Sequence, residues 1–170
     1  MINLISTILI MLSMSTPSND IIDKAMLVKK KYKVDCRYVV MIDYSKPIYA
    51  ERLYIVNTKQ QRIEMTSVVS HAFKSGMVYA KDFSNVEESL KSSLGVYLTE
   101  NTYYGKYGYS LALKGLDKTN SNAKKRNIVF HSSKKMSTKW SHGCFAVPDK
   151  KSRKIIEMIK GGSLVYAYVD

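Results

Sequence analysis

A mainly β fold closed by one helix at each end is what the sequence predicts, and three observations predict it. Six short runs between residues 37 and 131 are rich in β-branched and aromatic side chains and are punctuated by Gly, Ser, Asn and Lys. Tyrosine is abundant, at 13 of 170 residues, and suits half-buried pleated surfaces better than helix interiors. Helical spacing of apolar residues is confined to the two ends of the chain.

Taken in order, residues 20–33 place Ile21, Ile22, Ala25, Met26 and Val28 among Lys24, Lys29, Lys30 and Lys31, with Ser18, Asn19 and Asp20 available as caps, so one amphipathic helix is expected. The β-rich runs are residues 37–42, 52–56, 62–69, 94–99, 109–113 and 127–131, and they call for a β-sandwich or a partly closed sheet. The Lys-rich residues 118–126 read as a solvated loop. Residues 149–160 return to helical spacing with Ile155, Ile156 and Ile159 on one face, Pro148 and Asp149 at the first turn, and Gly161-Gly162 as the stop. The final run, residues 163–169, is apolar at alternate and intervening positions alike, as a central strand requires.

No linker or composition break divides the chain. With 45% hydrophobic content it can build one core, and residues 16–170 are expected to form a single domain. Lys plus Arg total 27 against 14 Asp plus Glu, a formal charge of +13 that favours polyanionic partners. The basic residues are scattered and no helix-turn-helix, zinc-finger or RNA-binding motif accompanies them, which argues against nucleic acid. Residues 1–15 carry no charged side chain and are too short to span ~30 Å of hydrocarbon as a helix, which argues against stable membrane insertion. With Ser13 and Ser15 at a cleavage-like boundary they read as a signal peptide, so the protein is expected to be exported to the periplasm or cell envelope and to act there as a monomer. The two cysteines, Cys36 and Cys144, sit in unrelated contexts and are not expected to pair.

The chemistry gathers around Ser141-His142-Gly143-Cys144, ten residues after His131, which closes the apolar run Ile128-Val129-Phe130. A thiol attacks as thiolate and needs a base or cation nearby, while a preceding Gly lets a substrate approach backbone N–H groups that face a developing oxyanion. Spacing does not decide whether His131 or His142 is the base. Other readings stand beside this one: Cys144 as an inert buried thiol, or His131, His142 and Cys144 as zinc ligands. No paired ligand spacing supports zinc, and no metal is expected. His71 reads as a strand-end histidine hydrogen-bonded to a loop. Tyr103, Tyr104, Tyr107 and Tyr109, with Gly105 and Gly108, fit either a substrate wall or a packed β-turn, and Tyr109, Ser110 and Ser141 are the residues singled out for substrate contact.

The segment resembles the YkuD-type L,D-transpeptidase signature, an upstream His followed by Ser or Thr, His, Gly and Cys, here His131, Ser141, His142, Gly143 and Cys144. Met41 to Ser45, Ser70-His71-Ala72, Ser75-Gly76, Phe83-Ser84-Asn85, Leu90 to Tyr97, Tyr107 to Leu111 and Ile155 to Ser163 are similar to blocks of its murein L,D-transpeptidase branch. The resemblance implies a β-sandwich-like catalytic domain without a cofactor that acts on peptidoglycan stem peptides. Cys144 would expel D-alanine and pass the thioester to an amine. His131 would be the general base, oriented by a backbone carbonyl, and the amides of His142, Gly143 and Cys144 the oxyanion hole, with the His142 side chain in support. Departures are the gap of nine residues between His131 and Ser141, shorter than usual, Ser132 in place of Gly, and Phe145-Ala146 after the cysteine. A short cationic connection implies an open acceptor side and a hydrolytic side reaction. The competing expectation is a catalytically weak or inactive cell-wall-binding protein.

Overall fold

The computed structural model describes residues 17–134 and 141–170. The expected leader at 1–15 and the latter part of the connection from His131 to Ser141, residues 135–140, lie outside them. Helix α1 (Pro17–Tyr32) buries Ile21, Ala25 and Val28, three to four residues apart, and carries Asp20 in its first turn and Lys29, Lys30 and Lys31 in its last, the charge order that complements the helix dipole. Strands β1 (Tyr38–Asp43), β2 (Leu53–Asn57), β3 (Arg62–Ser67), β4 (Gly95–Gly105), β5 (Gly108–Gly115), β6 (Val129–Ser133), β7 (Phe145–Pro148) and β8 (Leu164–Tyr168) form one sheet, and helix α2 (Asp149–Ile159) connects the last two.

The strand order is β3-β2-β1-β8-β4-β5-β6-β7. β8 is central, as expected: it runs parallel to β1 and antiparallel to β4. Both faces of the sheet are covered, which explains why residues 39–42 of β1 and the whole of β8 are apolar. Val40 and Ile42 of β1 face a core shared with Ile155, Ile156 and Ile159 of α2. Val39 and Met41 face a second core shared with Ile21, Ala25 and Val28 of α1. Burying each α2 isoleucine is worth about 1.5–3 kcal/mol of transfer free energy, so α2 is held chiefly by this one face.

Two elements differ from the sequence expectation. β4 runs beyond residue 99 to Gly105 and turns tightly into β5 at the Gly105–Gly108 pair, where Gly108 has φ +77°, so the Tyr-rich segment is a hairpin tip. β7 was not expected. It has four residues, too few to display a period, and pairs in parallel with β6.

The segment that leaves β3 crosses to β7 at the far end of the strand order. The Ser70 N–H donates to the Ala146 carbonyl at 2.9 Å, and Ala72 bridges Ser141. This strap joins the two outer strands and nearly closes the sheet, so the expected partly closed sheet is the one found. The Lys-rich residues 118–126 are more than a solvated loop, because Asn120 and Ala123 turn inward. Asn120 is buried, donating to the Val96 carbonyl and accepting from the Asp117 N–H at 2.9 Å each, and Ala123 is buried beneath it.

Candidate active site

His131 lies in β6 and pairs with Ala146 of β7, so Cys144, two residues before Ala146, reaches the same end of the sheet. A cavity of about 290 Å³ opens there, with Tyr107, His131, Ser141, His142 and Cys144 among its walls. Chain direction around the cysteine depends on Gly143, whose φ of +137° is one that side chains rarely adopt. A Cβ at Gly143 would lie 2.7 Å from Ile128 Cδ1 and 3.1 Å from an Arg126 guanidinium nitrogen. The peptide therefore passes directly over Arg126.

His131 is buried, and its ring is fixed from two directions. Its Nδ1 lies 2.8 Å from the Ser132 carbonyl. A carbonyl only accepts, so Nδ1 carries the proton and Nε2 holds the lone pair. Tyr107, at the hairpin tip, stacks on the imidazole with centroids 4.4 Å apart and planes 20° from parallel. Burial pushes the His131 pKa below the usual histidine value, and the Ser132 carbonyl partly offsets that shift. The ring is thus neutral near pH 7 with Nε2 as the acceptor, the state a general base requires.

The Cys144 thiol is half-buried and donates to the Asn127 carbonyl at 3.3 Å. Burial pushes its pKa up, while the Val129 N–H and the Arg126 guanidinium pull it down. Arg126 is held in place by the Ser84 carbonyl at 2.8 Å, the Ser93 hydroxyl at 2.5 Å and the Lys91 carbonyl. Those partners are all neutral, so its charge is not cancelled by a carboxylate and acts on the sulfur. Arg126 is the site residue that sequence reasoning missed. Its signal was an arginine among lysines directly before the β6 run.

The other expected site residues divide. Ser141 and His142 line the cavity with Cys144 and His131. The Gly143 N–H, one of the three expected oxyanion donors, donates to Ser141 Oγ at 3.1 Å. Tyr109 and Ser110 do not line it: the Tyr109 hydroxyl donates to Glu157 at 2.5 Å, with Arg153 over its ring, and the buried Ser110 donates to the Gly108 carbonyl at 3.1 Å. The turn is the reason: Tyr107 lies in the two-residue connection between β4 and β5, which bends over His131, whereas Tyr109 and Ser110 lie within β5, paired with Tyr104 and Tyr103. His71 is buried, with Nε2 donating to the Gly76 carbonyl at 2.8 Å, the loop contact expected of it. Its Nδ1 accepts from Arg52 at 3.0 Å, and burial pushes its pKa down to about 4. Among the described residues no group of three or more His, Cys, Asp or Glu is placed to hold a metal ion, and no helix is long and apolar enough to cross a membrane.

Residues 14–168 match the L,D-transpeptidase catalytic domain family. No curated protein gives a significant match. Among solved structures, the helical cell shape determining protein Pgp2 (K307A mutant) from Campylobacter jejuni aligns at 16% identity and a TM-score of 0.55, over 81% of this chain and 49% of that one. The Ldtfm-avibactam carbamoyl enzyme aligns at 12% identity and a TM-score of 0.50, over 78% and 49%. An L,D-transpeptidase from Mycobacterium smegmatis aligns at 8% identity and a TM-score of 0.49, over 78% and 58%. The first two establish likeness of fold, and this chain spans about half the length of each.

Proposed function

The chain belongs to the L,D-transpeptidase catalytic domain family, and on that premise we propose that it is a cysteine-dependent L,D-transpeptidase of peptidoglycan stem peptides, working in the cell envelope as a single domain of residues 16–170 once residues 1–15 are removed. The observation that carries this reading is the pairing of His131, its Nδ1 proton committed to the Ser132 carbonyl, with Cys144 in one cavity.

In the proposed reaction His131 Nε2 takes the thiol proton as the sulfur leaves its resting bond to the Asn127 carbonyl and attacks the carbonyl carbon that precedes the terminal D-alanine. Arg126 stabilises the thiolate. The oxyanion is received by the Cys144 and His142 amides, since the Gly143 N–H is engaged by Ser141 Oγ. Collapse breaks the C–N bond, His131 returns the proton to the departing amine, and D-alanine leaves behind a thioester. An amine of a second stem peptide, or water, then attacks with His131 again as base. The thiolate is released, and the product is a cross-link or a shortened stem. The cationic residues of the chain favour these carboxylate-bearing substrates.

The experiment is incubation of defined tetrapeptide muropeptides with the wild-type, Cys144→Ala, His131→Ala and His142→Ala proteins, with products followed by mass spectrometry. The reading expects D-alanine release by the wild type, none by Cys144→Ala, and a deeper loss for His131→Ala than for His142→Ala. Full turnover by Cys144→Ala overturns it, and the reverse order of the histidines moves the base to His142.

A further inference from the structure

The strap between β3 and the cysteine loop carries a polar side chain that the reaction above does not use. Ser70 is fully buried, yet its hydroxyl makes two bonds to the nucleophile's own segment. It donates to the carbonyl of Cys144 at 3.2 Å and accepts from the N–H of Ala146 at 3.1 Å. The Ser70 N–H meanwhile donates to the Ala146 carbonyl at 2.9 Å. One serine thus grips the chain on the C-terminal side of the cysteine at three points. On the N-terminal side, the Ser141 N–H donates to the His71 carbonyl at 2.9 Å and the Phe73 N–H to the Ser141 carbonyl at 2.8 Å. His142, Gly143 and the Cys144 side chain are what is left between the two grips.

The strap is itself held from behind. Arg52, fully buried, donates through Nε and Nη2 to the Val69 carbonyl at 3.1 and 2.8 Å, through Nη1 to the Lys46 carbonyl at 2.9 Å, and through Nη2 to His71. The Tyr44 ring lies under the guanidinium at 4.9 Å, and its hydroxyl reaches the Ser70 carbonyl at 3.4 Å. A buried cation without a carboxylate partner is costly unless every donor is satisfied. Here the satisfied donors fix the residues on either side of Ser70, so the serine has a rigid base from which to act on the cysteine loop.

We propose that Ser70 is a positioning residue for Cys144: its hydroxyl, bonded to the Cys144 carbonyl, sets the nucleophile's peptide so that the sulfur faces Arg126, the Val129 N–H and the His131 side of the cavity. The proposal rests on the reading of Cys144 as nucleophile. In Ser70→Ala the Cys144 carbonyl and the Ala146 N–H lose their partner while the strap keeps its backbone bonds. The sulfur is then less firmly held near the groups that favour its thiolate.

The test compares Ser70→Ala with Ser67→Ala, a second fully buried serine just before the strap whose hydroxyl, among the described residues, bonds the carbonyl of its neighbour Val68 and not the cysteine segment. Each variant is assayed for steady-state D-alanine release and for the pH profile of Cys144 alkylation by iodoacetamide, with Cys36→Ala as the common background. A nucleophile displaced by a fraction of an ångström loses rate more than binding, so Ser70→Ala is expected to lower kcat about tenfold with KM within about twofold. Its alkylation profile should shift to higher pH, and Ser67→Ala should match the background in both. Wild-type kcat and alkylation profile in Ser70→Ala overturn the proposal, and so do equal changes in Ser67→Ala, which would mean general damage to the strap. Turnover that persists in Cys144→Ala overturns the nucleophile reading instead, while the alkylation profile still reports whether Ser70 sets the thiol.

Discussion

Replacing Gly143 by Ala probes the site with a single carbon. The backbone there sits at φ +137°, and an alanine forced into such a conformation costs about 1–3 kcal/mol. The added Cβ would lie 2.7 Å from Ile128 Cδ1, the tip of a flexible side chain that can move, and 3.1 Å from an Arg126 nitrogen that cannot move without loosening its bonds to Ser84, Ser93 and Lys91. Overpacking of this kind costs a further ~1–3 kcal/mol. The expected loss is therefore about 2–6 kcal/mol, and a domain of this size loses ~2–4 °C of melting temperature per kcal/mol. Urea unfolding followed by far-UV circular dichroism, together with a thermal melt, measures it. A Gly143→Ala protein with a melting temperature within 1 °C of wild type would refute the argument that the glycine is required by its φ and by the approach to Arg126.

Arg126→Met should shift Cys144 alkylation to higher pH, because the cation that favours the thiolate is gone; an unchanged profile would detach Arg126 from the sulfur. The His71 pKa, pushed down to about 4 from 6.5, means that the unfolded chain takes up a proton between those values while the folded chain does not. Stability is then lost as pH falls from about 6.5 toward 4, by roughly 2 kcal/mol at pH 5. The lowered His131 adds to the same slope, and urea titrations at pH 7 and 5 should show a smaller loss in His71→Asn than in wild type. Cys36 packs in the α1-side core and Cys144 opens on the cavity beside His131, so thiol counting under denaturing, non-reducing conditions should find two sulfhydryls. A Cys36 to Cys144 bond in active protein would contradict that placement.

What was legible in the sequence was what depends on local pattern. Residues 163–169 are apolar on both sides, and β8 is buried between β1 and β4 with a core on each face. Ile155, Ile156 and Ile159 share a helical face, and that face is the one α2 buries. His131, Ser141, His142 and Cys144 meet in one cavity because the short motif carries them together and β6 and β7 pair in parallel. The rest depends on contacts between distant segments. Arg126 reaches Ser84, Ser93 and Lys91 from a stretch whose composition reads as solvent-facing, and nothing within residues 118–126 reveals those partners. Tyr109 and Ser110 lie in a β-rich run whose pattern gives no facing, and it is the hairpin tip that places Tyr107 over His131 while Tyr109 turns toward Glu157. Ser70 directly follows the β-run at residues 62–69, and only closure of the sheet brings it to the cysteine.

The most direct test is an acid quench of the wild-type protein mixed with a tetrapeptide stem, followed by peptide mapping at high mass accuracy. A mass addition equal to the stem peptide minus its terminal D-alanine is expected on the peptide bearing Cys144, lost on treatment with hydroxylamine, as a thioester is, and absent from Cys144→Ala. D-alanine release by the wild type with no adduct at Cys144, or with the adduct on another residue, would contradict the account.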